Sequence, residues 1–254
     1  MQTEDYQYLY DLEARFWWFT GMRAISAALL APYLPQTSAR MILDAGCGTG
    51  GNLEWLRRYA GNGTIIGLDY VGTALQFCRQ AGHENLVQAS ATHLPFADAT
   101  FDLVTSFDVL VQLPGDGADE QAIREMYRAL KPGGLVFVRA AAYQWMRSGH
   151  DKALNSQRRY TLSELQQKLE RAGFIIKRAT YANSLLLPVA ALRRLVLKRL
   201  GVVDAGSDVK PLSPQLQWLN DGLAQMLHAE ANWLRARRLP CGLSAICVAE
   251  KLHG

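Results

Sequence analysis

No apolar run in this 254-residue chain reaches the roughly 18 residues that a membrane span needs, so no transmembrane segment is expected. Cysteine is scarce. Cys47, Cys78, Cys241 and Cys247 fit neither metal-ligand spacing nor a disulfide framework, which predicts no metal centre and a cytoplasmic protein. The first residues, Met1-Gln-Thr-Glu-Asp-Tyr6, are acidic and polar and do not read as a signal or transit peptide. Charge of one sign is nearly missing as well. Residues 1–184 hold 18 Lys/Arg and 18 Asp/Glu, and the net +4 lies wholly in residues 185–254, with nine against five. That small bias, diluted by apolar residues, excludes nucleic acid as the expected partner. With 49% hydrophobic residues, the chain is long enough for one large domain, or one domain with a sizeable insertion.

One stretch organises the rest. Met41-Ile-Leu-Asp-Ala-Gly-Cys-Gly-Thr-Gly-Gly51 begins as a short apolar strand, reaches an acid at Asp44, and continues through Gly46, Gly48 and Gly50 into a helical segment, 52–59. Glycines at a strand tip allow a sharp turn and close ligand approach, and the next helix start offers free N–H groups. Gly46, Gly48 and Gly51 also fit the dinucleotide fingerprint G-x-G-x-x-G, so the loop alone leaves two cofactors open. Asp44 weighs against a pyrophosphate, which it would repel, and towards a ligand with an ammonium group.

The chain in order reads as alternating strands and helices. Before the loop come Phe16-Trp-Trp-Phe19 and an apolar helix over 24–34 that stops at Pro35. The four aromatics either cover a sheet edge or form a lid over an apolar substrate. After the loop, strands are predicted over 64–69, 85–90, 101–110 and 135–139, with helices over 74–80 and 119–130; Lys131-Pro-Gly-Gly134 ends the second. Continuous apolar strands separated by helices predict an α/β, doubly wound Rossmann-like sheet with its ligand at the carboxyl ends of the strands. Asp69, 23 residues after Gly46, stands where an acid would meet ribose hydroxyls.

These motifs in this order resemble the class I S-adenosylmethionine-dependent methyltransferases over roughly residues 41–180. Within them the chain is similar to a small-molecule subgroup, through Phe16-Trp-Trp-Phe19 and His150-Asp151…Arg158-Arg-Tyr-Thr161. The resemblance implies a seven-stranded sheet whose last strands, 173–178 and 244–249, are antiparallel. It implies S-adenosyl-L-methionine as cofactor and S-adenosyl-L-homocysteine as product. Asp44, Gly46, Cys47, Gly48 and Gly50 would hold the methionine part, Asp69 the ribose, and Tyr70 and Leu94 would border the adenine. Ser90, Ala91, Phe107 and Asp108 complete the expected cofactor set. Ser90 stands where the family often has an acid, Gln112 where it often has histidine, and Ser156 where another histidine is common.

Three segments follow: residues 1–40 as an N-terminal helical and aromatic lid, 41–184 with 241–254 as the core, and 185–240 as a helical cap insertion. Helices are predicted in the insertion with Val189, Leu192, Val196 and Leu200 on one apolar face and Leu219, Leu223, Met226 and Leu227 on another. They cover the pocket, form a dimer contact, or touch a membrane through 185–200; monomer and homodimer both stay open. His150 is the leading general base, with Asp151 orienting it; His93 is a second choice. Arg158 and Arg159 either fork an anionic acceptor or belong to a helix N-terminal segment, salt-bridged to Glu164 or solvated. Phe16, Trp17, Trp18, Arg23, Gln112, Tyr143 and Trp145 complete the candidate acceptor pocket. The expected activity is methyl transfer to oxygen or carbon of a small aromatic or apolar molecule. The alternatives are an NAD(P)-dependent oxidoreductase and a non-catalytic S-adenosylmethionine-binding protein.

Overall fold

The computed structural model describes residues 3–35, 39–149, 151, 154–199 and 216–252. One seven-stranded sheet carries the molecule, in the order β3-β2-β1-β4-β5-β7-β6. Its strands are β1 Met41–Ala45, β2 Thr64–Asp69, β3 Leu86–Gln88, β4 Phe101–Phe107, β5 Leu130–Ala141, β6 Phe174–Ala182 and β7 Ser244–Lys251. The first five are parallel, and β7 runs antiparallel between β5 and β6. The helices between strands are α3 Leu53–Ala60, α4 Gly72–Gln80, α5 Ala118–Ala129 and α6 Leu162–Arg171. They bury both sheet faces, which is why the middle of β5, Leu135–Val138, is wholly apolar. Ile42, Phe101, Leu103, Val104 and Phe137 are fully buried. On α5, Ala122, Ile123, Met126 and Ala129 form the buried stripe. At the start of α6 a capping box is present: the Glu164 amide donates to Thr161 Oγ1 at 3.2 Å and the Thr161 amide to Glu164 Oε2 at 2.7 Å.

Several boundaries differ from expectation. Lys131-Pro-Gly-Gly134 does not stand outside the fifth strand; β5 begins at Leu130, paired with Phe101, and an irregularity absorbs the proline before the register resumes at Leu103 and Leu135. The aromatic segment is not a separate piece ahead of a helix starting at 24. It forms the N-terminal turn of α2, Trp17–Leu30, which follows α1, Thr3–Glu13.

Within the insertion, α7 spans Leu187–Arg199 and α8 spans Gln217–Leu234. On α8 the buried residues are Asn220, Leu227, Glu230, Ala231 and Leu234. This helix lies against α2: Leu227 packs where a side chain on Gly21 would stand. Asn220 receives the Trp17 amide at 2.9 Å and donates to the Arg15 carbonyl at 3.2 Å, so α8 caps the start of α2. The described part of the predicted apolar face of α7 is not buried. Val189 and Leu192 are each 65% exposed; Val196 and Leu200 lie outside the residues whose side chains are described.

Candidate active site

Strand order reverses between β1 and β4, which opens a crevice at their carboxyl ends. Asp44 of β1 sits there, in register with Thr105 of β4. The Thr105 hydroxyl donates to Asp44 Oδ1 at 2.7 Å, while buried Oδ2 has no hydrogen-bond partner among the described residues. Burial raises the carboxyl to about 7; Thr105 opposes the shift, Asp69 adds to it, Arg139 opposes it and Glu13 adds to it. A buried, half-satisfied carboxyl is costly to keep. A ligand's cationic group placed there would satisfy it.

Past Asp44 the chain turns sharply. Gly46 has φ +97° and a Cβ on it would stand 2.1 Å from Val109 Cγ2; Gly48 has φ +56° with no atom within 4 Å of such a Cβ. The Gly48 amide donates to Asp69 Oδ2 at 2.9 Å, and Val71 donates to Oδ1 at 2.9 Å. Each Asp69 oxygen keeps a second lone pair, enough for two vicinal ribose hydroxyls. Cys47 and Cys78 bring their sulfurs to 4.0 Å, and that contact with burial raises the Cys47 thiol, keeping it neutral. The residues present therefore fit S-adenosylmethionine: an unsatisfied carboxyl for the ammonium, an open glycine surface, and an acid for the ribose.

On the adenine side, Leu94 is held at both backbone groups. Its amide donates to Glu125 at 2.8 Å and its carbonyl accepts from Arg128 at 3.0 Å. Ala91 is buried, whereas Tyr70 is 75% exposed. Ser90 spends its hydroxyl on Thr92, with the two oxygens 2.7 Å apart, and Thr92 also reaches His93 Nδ1 at 3.0 Å.

At the tips of β4 and β5 stands a group that the sequence reading did not assemble. Asp108, in the left-handed region at φ +59°, pairs with Arg139 at 2.7 Å. The Arg139 guanidinium lies between the rings of Trp18 and Phe107, 4.9 and 5.1 Å from their centres. Trp18 thus brings α2 to the strand tips, and Asp108 is committed to this pair. Phe16 is buried, and Trp17 contacts its ring. Tyr143 stacks on Tyr181 at 5.2 Å and on Trp145 at 5.8 Å, with Trp145 58% exposed. Burial and the Tyr181 contact raise the Tyr143 hydroxyl to about 12, so it stays neutral at pH 7. Gln112 is exposed, and Arg23 lies on the glycine loop, with Nη1 donating to the Gly51 carbonyl at 3.3 Å.

Three expectations are corrected. Arg159 is not a free fork for an anionic acceptor: Nε and Nη2 meet the two Asp151 oxygens at 2.7 and 3.0 Å, both side chains are almost fully buried, and Nη1 holds the Ala142 carbonyl. Asp151 is correspondingly used up by Arg159 and the Ser148 amide, which makes it a structural partner for the 148–159 loop. Arg158 pairs with buried Asp119 at 3.0 Å and donates to the carbonyls of Leu113 and Gly115. His150 lies outside the described residues.

Comparison with known proteins agrees with this geometry. Residues 43–138 match the family model described as a methyltransferase domain. A probable S-adenosylmethionine-dependent methyltransferase of Mycobacterium tuberculosis is 30% identical over 168 residues, covering 65% of this chain and 58% of that protein. The methyltransferase GfsG of Streptomyces halstedii is 34% identical over 111 residues, covering 41% of this chain and 39% of that one. The chain thus spans about half the length of the curated relatives it matches. An S-adenosylmethionine-dependent methyltransferase from Mesorhizobium loti has the same fold at TM-score 0.57 and 18% identity, over 89% of this chain and 98% of that one. Residues 43–138 thus match a methyltransferase domain, set in a 3-2-1-4-5-7-6 sheet with Asp44 and Asp69 at its strand tips.

Proposed function

We propose that this chain transfers the methyl group of S-adenosylmethionine to oxygen or carbon of a small aromatic or apolar molecule. The observation that carries the reading is the buried Asp44 oxygen with no partner, at the switch point beside Asp69. The cofactor, when bound, supplies an electrophilic methyl group on a sulfonium. The protein's part is to hold the acceptor in line at about 3–3.5 Å and keep water out. Trp18, Tyr143 and Trp145 offer aromatic faces for such an acceptor, and Arg139 is closed off by Asp108. His150 is the residue proposed to take a proton from the acceptor. In that role His150→Ala lowers turnover and leaves S-adenosylhomocysteine affinity within about twofold; equal losses in both would remove it as base.

The direct test is calorimetry with S-adenosylhomocysteine and with NAD, followed by incubation with methyl-labelled cofactor and a panel of phenols, quinols and apolar alcohols. S-adenosylhomocysteine binding with label transfer supports the reading, and binding of NAD alone overturns it. Binding without transfer to any acceptor favours the non-catalytic alternative. Asp69→Ala is expected to weaken S-adenosylhomocysteine binding by about 1–3 kcal/mol, the cost of leaving ligand hydroxyls unpaired. The same calorimetry checks it.

A further inference from the structure

Glu13, the last residue of α1, reaches the cofactor loop from a distant part of the chain. Its Oε2 accepts the Thr49 hydroxyl at 2.7 Å and the Gly51 amide at 2.9 Å. The carboxylate occupies the space that Gly51 leaves free, since a Cβ there would stand 2.4 Å from Oε2. Arg23 of α2 closes the arrangement, donating to the Glu13 carbonyl at 2.7 Å and to the Gly51 carbonyl at 3.3 Å. Glu13 Oε1 accepts no hydrogen bond from the described residues, and neither Glu13 nor Asp44 forms an ion pair with a described Lys or Arg. Two carboxyls, one from α1 and one from β1, therefore border the same glycine loop.

We propose that Glu13 and Asp44 together receive the α-ammonium group of the cofactor's methionine end, so that α1 supplies half of that subsite. The inference rests on the methyltransferase reading above. Its physical basis is that two like charges beside one loop disfavour each other until a cation joins them. Burial raises Glu13 to about 7, against the Thr49 and Gly51 hydrogen bonds and the Arg23 charge, and Asp44 is raised to the same region. The other groups around the pair are Asp69, Arg139 and Thr105 at the strand tips, Arg58 near Arg23, and His83 and Cys78 beside Gly50. A raised acid is protonated below its folded value. At pH 5.5 both carboxyls are therefore neutral in the free protein and must lose their protons to bind an ammonium group. Affinity for a ligand with that group then rises with pH and levels off above about 7, still below the range where an α-amino group itself titrates, about 7.7–8.0.

Calorimetry with S-adenosylhomocysteine and with 5′-methylthioadenosine, which lacks the amino-acid end, tests this in the native chain and in Glu13→Gln. The glutamine keeps an acceptor oxygen for Thr49 and Gly51 and cannot ionise. In the native chain, S-adenosylhomocysteine affinity is expected to rise by well over tenfold between pH 5.5 and 6.5, because two groups each contribute up to about tenfold per unit. In Glu13→Gln the rise falls to about tenfold or less, with about one fewer proton released on binding. Methylthioadenosine affinity stays within about threefold across the range in both proteins, which also shows that the variant pocket is intact. An unchanged slope for S-adenosylhomocysteine in Glu13→Gln, or the same slope for methylthioadenosine, overturns the proposal. If neither ligand binds the native chain at any pH, the methyltransferase reading itself fails and takes the proposal with it.

Discussion

Arg159→Ala is expected to cost about 3–5 kcal/mol of folding stability, the usual penalty for leaving one member of a buried ion pair alone. For a chain of this size that is a fall of roughly 10 °C in Tm, read by thermal unfolding. The reason is local. Asp151 and Arg159 are nearly inaccessible and joined by two hydrogen bonds, and Arg159 also satisfies the Ala142 carbonyl just past β5. Removing the guanidinium leaves a buried carboxylate whose remaining hydrogen bond among the described residues comes from the Ser148 amide. S-adenosylhomocysteine affinity, measured where the variant is folded, should stay within about twofold, since the pair does not face the glycine loop. The double change Asp151→Leu with Arg159→Met should recover most of the loss, as apolar replacements of buried pairs commonly do. Against burial, which raises it, Arg159 holds the Asp151 carboxyl below its ordinary value. A depressed acid contributes stability above its unfolded value, about 3.9, and loses it as pH falls through the folded one. The acid-unfolding midpoint of Arg159→Ala should accordingly move upward. A variant with native Tm and weakened binding of anionic acceptors would restore the substrate role that the sequence alone allowed.

A second large effect separates two neighbouring glycines. Gly46→Ala combines a φ of +97°, which side chains rarely adopt, with a methyl group 2.1 Å from Val109. The backbone term alone is about 1–3 kcal/mol, and the overlap requires the loop or Val109 to move. Stability and S-adenosylhomocysteine binding should both fall, binding by at least a hundredfold. Gly48→Ala meets no atom within 4 Å and sits at φ +56°, in the left-handed region. Its folding cost should be about 1 kcal/mol, while the added methyl enters the open space beside the loop where the cofactor has to lie. Binding should drop by about tenfold or more with Tm nearly unchanged. Equal losses of stability in the two variants would mean that this open space is not the ligand's.

The sheet and its cofactor loop were legible in the sequence because they are local signals. A strand followed by Asp44, Gly46, Gly48 and Gly50 encodes its own turn, and Asp69 ends the next strand within the same β-α unit. Burial on both faces keeps Leu135–Val138 of β5 wholly apolar, which makes that strand visible. Contacts across long separations were not legible. Glu13 meets Gly51 from the end of α1, and the α2 helix that follows is capped from α8, more than 200 residues away in sequence. The Asp108–Arg139 pair had a signal that could have been used: a charge ending the apolar run Leu135–Val138, in register with the end of β4. Arg158 and Arg159 show the opposite difficulty. Two adjacent arginines look available in a sequence, and only packing reveals that Asp119 and Asp151 have taken them. Val189 and Leu192 share the helical spacing of a buried stripe, yet no described element covers them.

The Asn220 cap has a consequence for engineering. Because this residue of α8 receives the first amide of α2, and Leu227 fills the notch at Gly21, residues 3–30 and 217–234 behave as one exchangeable cassette although 186 residues separate them in the chain. Chimeras that swap only the N-terminal piece would bring in a helix start with no acceptor for its amide and a mismatched notch. Grafts that move both pieces together should keep α2 seated, and with it Glu13 on the glycine loop.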